Sequence, residues 1–160
     1  MKIFIRQIKI IVSIFSFFFI IFLVLSWSSN PSAPLQYNLK RIQEKVILKL
    51  RITPQSNLKY QLKLLDKRLN EIIFIIDMNE HSYILKSSLR YSTTAGQITE
   101  YILKNNIEID NTSILYIFNN HREIFQNIID NYPKGLDMEW KYIQDDINYL
   151  DIYSKMLIKD

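Results

Sequence analysis

Apolar positions along the chain fall into one uninterrupted run followed by a series of helix-spaced stripes. The run is Ile10 to Trp27, IIVSIFSFFFIIFLVLSW, without a charge. As a helix it is about 27 Å long, enough to cross a hydrocarbon layer of about 30 Å together with its flanks. Beyond it, apolar residues recur at steps of three and four. Leu39, Ile42, Val46 and Leu50 share a face of a predicted helix over 35–52. Leu58, Leu62, Leu65, Leu69, Ile72 and Ile76 form a heptad-like seam over 54–79. Ile84, Tyr91, Ala95, Ile98 and Ile102 mark a helix from Glu80-His81-Ser82 to about Asn106. Ile114, Phe118, His121, Phe125, Ile128 and Tyr132 mark the next. Leu136, Trp140, Ile143, Ile147, Leu150 and Leu157 mark the last.

The punctuation agrees with this division. Thr53-Pro54 supplies an N-cap and a first-turn proline. A break falls at 108–113, with Asn111 or Thr112 as cap, and Tyr132-Pro133-Lys134-Gly135 ends another helix. Ser92-Thr93-Thr94-Ala95-Gly96 places small residues inside a helix, where a neighbour can approach closely or the axis can kink. No one-sided helix buries its stripe alone. The expected fold is therefore all-α: one N-terminal transmembrane helix plus a small antiparallel bundle of four or five helices over 35–160.

Lys2, Arg6 and Lys9 precede the apolar run, an arrangement that favours a cytoplasmic tail of residues 1–9 and a signal-anchor over 10–27. Residues 28–34, SSNPSAP, read as a short stiff linker. A cleaved signal peptide is the first alternative, although Ser26-Trp27-Ser28 is a poor small-x-small site and the run exceeds a 7–15-residue apolar region. A buried core helix is the second. With the anchor reading, the bundle lies outside the cytoplasmic membrane.

Composition narrows the function classes. The 160 residues include no Cys, two Gly and two His. That excludes a disulfide scaffold, a thiolate zinc site and a Cys nucleophile, and leaves no clustered glycines for a phosphate-cradling loop. The net charge of +4 falls to +1 without Lys2, Arg6 and Lys9, so it does not mark a nucleic-acid binder. Its distribution is uneven. Between Lys40 and Arg68, nine basic residues face two acidic ones, a net of +7; from Leu69 onward the balance is −6. Lys40, Arg41, Lys45, Lys59, Lys63, Lys67 and Arg68 are therefore a candidate interaction surface for anionic headgroups or an anionic polymer, against the plainer reading that basic helices pair with acidic ones inside the bundle.

Other candidates for chemistry are thin. Asp77 and His81 share a helix face but lack further ligands, and the sequence puts His81 in a polar helix junction. His121 interrupts an apolar seam and reads as a hydrogen-bonded core residue. Asp145, Asp146 and Asp151 read as a solvated helix face, because adjacent helical residues point apart. The ten tyrosines, all after the linker, read as core and rim packing rather than base or sugar stacking. No catalytic, cofactor-binding or metal-binding residue is assigned.

The stretch Leu35-Gln36-Tyr37-Asn38-Leu39-Lys40-Arg41-Ile42-Gln43-Glu44-Lys45, followed by Ile52-Thr53-Pro54 and by Leu62 to Glu71 (LKLLDKRLNE), resembles a bacterial extracytoplasmic helical domain family with no assigned reaction. That family follows a single N-terminal membrane helix and also occurs in some anti-sigma-factor-like proteins. Tyr37, Leu39, Lys40, Arg41 and Glu44 fit its opening, whereas Gln36 and Asn38 replace an apolar residue and a proline. Leu89-Arg90-Tyr91 matches its third helix, and the resemblance spans about residues 34–100. It implies location and fold, and no reaction. The expected function is a membrane-anchored, non-enzymatic envelope module that binds the lipid bilayer and an envelope protein or a second copy. The alternative is an envelope stress- or metal-sensing regulator or chaperone-like protein. Residues 1–9 are too short to form a sigma-binding domain.

Overall fold

The computed structural model describes residues 34–105, 107 and 111–158, together with 7, 10, 12–14, 16 and 17. Among these residues the fold is all-helical, without strands. Five long helices are α1 (Pro34–Leu50), α2 (Pro54–Asp77), α3 (Ile84–Asn105), α4 (Asn111–Asn131) and α5 (Trp140–Ile158). The chain divides into two compact units, Met1–Lys49 and Leu50–Asp160. The bundle expected over 35–160 thus divides: α1 falls in the first unit and α2–α5 make up the second. The expected membrane helix, 10–27, and the linker up to residue 33 lie largely outside the described residues. Ile10, Val12, Ile14 and Phe17 are helical and exposed. Among the described residues, no helix is long and apolar enough to cross a membrane.

Within the second unit, local chemistry starts and stops the helices. Thr53 caps α2: its hydroxyl accepts the Ser56 amide at 3.3 Å, and Pro54 follows at the first turn. At the other end Asn79 adopts φ 56°, and the amides of Asn79 and Glu80 donate back to the Ile76 and Ile75 carbonyls. This is the two-bond Schellman closure, with Asn in the left-handed position. A single 3-10 turn, His81–Tyr83, then leads into α3, so that helix begins at Ile84 rather than at Glu80.

The principal packed pairs are α2 with α3, α3 with α5, and α4 with α5. Two antiparallel hairpins, α2–α3 and α4–α5, thus join along α3 and α5. Those two helices run in the same direction: Ser88 of α3 meets Asp146 of α5, and eight residues later Gly96 meets Tyr153. The core comprises Leu58, Leu65, Leu69 and Ile72 of α2; Ile84, Tyr91, Ala95 and Ile98 of α3; Ile114, Phe118 and Phe125 of α4; and Ile143, Ile147 and Leu150 of α5. Tyr91 packs its ring edge-on to Phe125, centroids 4.7 Å apart.

Three seam positions differ from the sequence expectation. Ile75 and Ile129 are buried, while Ile76 and Ile128 are only partly so. A straight helix drifts relative to a strict seven-residue repeat, which carries the α4 seam toward the later position Ile129; the shift to Ile75 runs the other way and does not follow from that drift. Leu136 is 69% exposed and precedes α5, which begins at Trp140. Residues 133–139 form turns instead, held by the Asp137 carboxylate.

The small-residue run of α3 is a contact surface. A Cβ at Gly96 would lie 2.7 Å from Tyr153 Oη and 3.0 Å from its Cζ. Gly96→Ala therefore sets a helix-propensity gain of about 1 kcal/mol against an overlap costing about 1–3 kcal/mol. The expected outcome is a net loss of stability that turns into a gain in the Tyr153→Ala background. Thermal unfolding of the four proteins of this double-mutant cycle measures it, and additivity of the two changes would refute the close contact.

Candidate functional site

Four polar groups enter the interior of the second unit, and each joins different elements. The first is a three-residue chain. Tyr91 of α3 places its hydroxyl 3.0 Å from His121 Nδ1, and His121 Nε2 lies 3.2 Å from Asp66 Oδ1 of α2. Burial holds the His121 pKa low, although the Asp66 carboxylate acts in the opposite direction. Burial, reinforced by the charges of Asp146 and Asp66, pushes the Tyr91 phenol well up. A neutral imidazole carrying its proton on Nε2 satisfies both contacts: Nε2–H donates to Asp66, and Nδ1 accepts from the Tyr91 hydroxyl. Asp66 is exposed, so the chain runs from the surface into the core.

The second group is Ser88 with Asp146. Asp146 is 1% exposed, so the expectation that it belongs to a solvated face fails. Asp145 next to it is exposed, as adjacent helical residues point apart. Ser88 Oγ lies 2.7 Å from Asp146 Oδ2 and 2.8 Å from the Tyr142 carbonyl oxygen. The hydroxyl has one proton and two acceptors in reach. If Asp146 is protonated, it donates to Ser88 Oγ, and Ser88 donates to the Tyr142 carbonyl, so both contacts are satisfied. If Asp146 is ionised, one contact loses its hydrogen. Burial pushes the Asp146 carboxyl up to about 8; the Ser88 hydrogen bond pulls it down, and the Asp145 charge pushes it further up. Its other oxygen, Oδ1, is buried without a hydrogen-bond partner.

The third group ties the two connections together. His81 Nδ1 donates to Asp137 Oδ2 at 2.7 Å, and the Tyr132 hydroxyl donates to Asp137 Oδ1 at 2.8 Å. The Glu139 amide adds a third donor at 3.0 Å. Burial raises the Asp137 pKa, but the His81, Tyr132 and Glu139 hydrogen bonds outweigh it and hold the carboxyl below its ordinary value. Burial and the Asp137 contact push the Tyr132 phenol up. His81 is thus the polar junction residue that its sequence position predicts. In the fourth group, buried Glu71 bridges two guanidiniums, Arg68 Nη1 at 3.0 Å and Arg90 Nη1 at 3.2 Å.

The residues of the candidate basic surface fall in both units. Arg41 and Lys45 are exposed on α1, and Lys40 is half-buried there; Lys59 and Lys63 are exposed on α2, with Lys67 half-buried. Arg68 is buried and paired with Glu71, so it does not belong to that surface. Asp146, which the sequence reading missed, had a signal: it stands three residues after Ile143 and four before Leu150, on the same face as that seam.

Chemically these groups are internal pairs. Ser88 meets a carboxyl and a carbonyl, and His121 meets a tyrosine and an aspartate; Ser88 and His121 do not meet as nucleophile and base. Among the described residues, no group of three His, Asp or Glu is arranged to hold a metal ion.

Two outcomes follow. A folded-state Asp146 titrating near 8 holds a proton that the unfolded chain, titrating near 3.8, has released. Stability therefore falls as pH rises through that window, with a limiting slope of about 1.4 kcal/mol per pH unit. His121, with its lowered pKa, acts in the opposite direction and only below about pH 6.5. Unfolding midpoints between pH 6.5 and 8 should thus fall in the parent and stay level in Asp146→Asn; parallel slopes would show that Asp146 is not the titrating group. Tyr91→Phe leaves His121 Nδ1 buried without a donor and should lower stability by about 1–3 kcal/mol in urea unfolding.

No protein-family model matches the chain, and the comparisons with curated proteins and with solved structures found no match.

Proposed function

We propose that the protein is a membrane-anchored, non-enzymatic helical module with its bundle outside the cytoplasmic membrane. The observation that carries this reading is the uncharged run Ile10–Trp27 after Lys2, Arg6 and Lys9. Exposed helical Ile10, Val12, Ile14 and Phe17 support it, since lipid accepts apolar side chains that water does not. The binding role draws support from the inward pairing of the polar groups, which leaves the helix surfaces as the means of interaction. On α5, Tyr149, Ile152 and Met156 form one such exposed apolar row for an envelope protein or a second copy.

A stress-sensing regulator is the second reading, favoured by the buried Asp146 carboxyl, whose protonation state is tied to helix packing.

Protease accessibility in bacterial cells tests the first reading. The chain should stay in the membrane fraction after an alkaline wash, and the bundle should be digested once protease passes the outer envelope. Digestion only after the cytoplasmic membrane is opened would place the bundle inside. Release by the wash would remove the anchor.

A further inference from the structure

The exposed face of α1 consists of two parallel rows. Arg41, Lys45 and Lys49 stand four residues apart, and so do Ile42, Val46 and Leu50, each directly after a cation. All six are exposed, with Ile42, Val46 and Leu50 at 54%, 51% and 71%. The other side of the helix differs: Glu44 is buried, and Lys40, Gln43, Ile47 and Leu48 are half-buried. The only acidic residue of α1 is therefore withdrawn from the exposed face, which carries three cations and no anion.

A water-facing helix surface does not need three large apolar side chains, and a protein-packing seam does not need a cation beside each of them. A lipid–water boundary uses both. Apolar side chains enter the acyl edge, while Lys and Arg stems reach up to phosphate groups. The position fits as well. Six residues separate Trp27 from Pro34, so the start of α1 stays within about 25 Å of the end of the apolar run.

We propose that α1 lies on the bilayer surface as an amphipathic helix, with Ile42, Val46 and Leu50 at the acyl boundary and Arg41, Lys45 and Lys49 on anionic phospholipid headgroups. This inference rests on the anchored reading only for the tether that keeps α1 near the surface. The partner is lipid rather than a second copy because two such faces would bring six cations together with no anion between them. Each cation should contribute about fivefold to the surface-bound population, and salt should weaken it.

The absence of native cysteine allows the test on the full chain. A Val46→Cys variant carries an environment-sensitive fluorophore, and Glu123→Cys, an exposed position on α4, carries the control. Each is reconstituted with vesicles of phosphatidylcholine alone or with 30% phosphatidylglycerol, containing nitroxide-quencher lipid. Flotation reports anchoring, and quenching reports the position of α1. The expected result is flotation with both vesicles and strong quenching at position 46 only in the anionic ones. Salt should reverse that quenching, the triple change Arg41→Gln, Lys45→Gln, Lys49→Gln should abolish it, and position 123 should stay unquenched.

Flotation with both vesicles but no quenching at 46 overturns the proposal and leaves the anchor standing. Salt-sensitive flotation with anionic vesicles alone, with quenching at 46, removes the anchor and upholds the proposal. Flotation with neither removes both. Equal quenching in both vesicles, unaffected by the triple change, overturns the role of the cations. Crosslinking of unlabelled Val46→Cys chains to one another, with no quenching of the labelled ones, assigns the face to a second copy.

Discussion

The close approach of α3 to α5 sets the geometry on which the rest of the bundle depends. Ser88, Ser92, Ala95 and Thr99 are buried along α3, and Gly96 lies against Tyr153. Small side chains permit two helix backbones to come near enough for a serine hydroxyl to reach the carbonyl of Tyr142 on the opposing helix. Larger residues would hold the axes apart, remove that contact and leave Asp146 with its carboxyl buried and unserved. Parallel neighbours do not arise from a short loop, so this pair must hold by side-chain packing across the two hairpins. The hydroxyls of Ser92 and Thr99 turn back to the Ser88 and Ala95 carbonyls of their own helix, which satisfies them without adding bulk.

Buried polar groups then restrict how the hairpins can slide. An apolar seam with a repeat of three and four residues tolerates displacement by one turn at modest cost, because leucine and isoleucine replace one another. A hydrogen bond does not. Shifting α4 by a turn would separate His121 from both Tyr91 and Asp66, and shifting α5 would separate Asp146 from Ser88. Each displaced group would remain buried without its partner at a cost of about 1–3 kcal/mol or more. The Asp137 carboxylate acts similarly at the ends, since His81 comes from the α2–α3 connection and Tyr132 from the end of α4. These contacts select one register more than they add to its stability.

This division explains what was legible in the sequence. Helix number and type follow from hydrophobic spacing, because the same stripes form the core; Thr53-Pro54 and the Ser92–Gly96 run also acted as their residue types require. His121 reads as a core histidine because its neighbours three residues before and four after, Phe118 and Phe125, are apolar. Asp146 does not read as buried, because a doublet of aspartates resembles a solvated face and the compensating Ser88 is 58 residues away. Leu136 reads as part of the last seam because spacing alone does not reveal that Asp137 is engaged by His81, 56 residues away, as well as by nearby Tyr132, and thereby organises a turn. Polar partners separated by long stretches of chain leave no periodic signal, so the candidate site was the least legible part.

The charge asymmetry shows the same limit. A net of +7 over Lys40–Arg68 reads as one basic surface, yet the structure treats these cations in different ways. Arg68 is drawn inside by Glu71, whose second oxygen also serves Arg90, so burial there is compensated by opposite charge. Lys59 and Lys63 remain exposed on α2 without an apolar row alternating with them, as the large residues beside that face, Leu58 and Leu62, turn inward. Among the described cations of this stretch, those on α1 run beside a row of exposed apolar side chains. Charge alone would attract an anionic partner at either place. Charge with exposed apolar surface narrows the choice further, to a partner that offers anionic and apolar groups together.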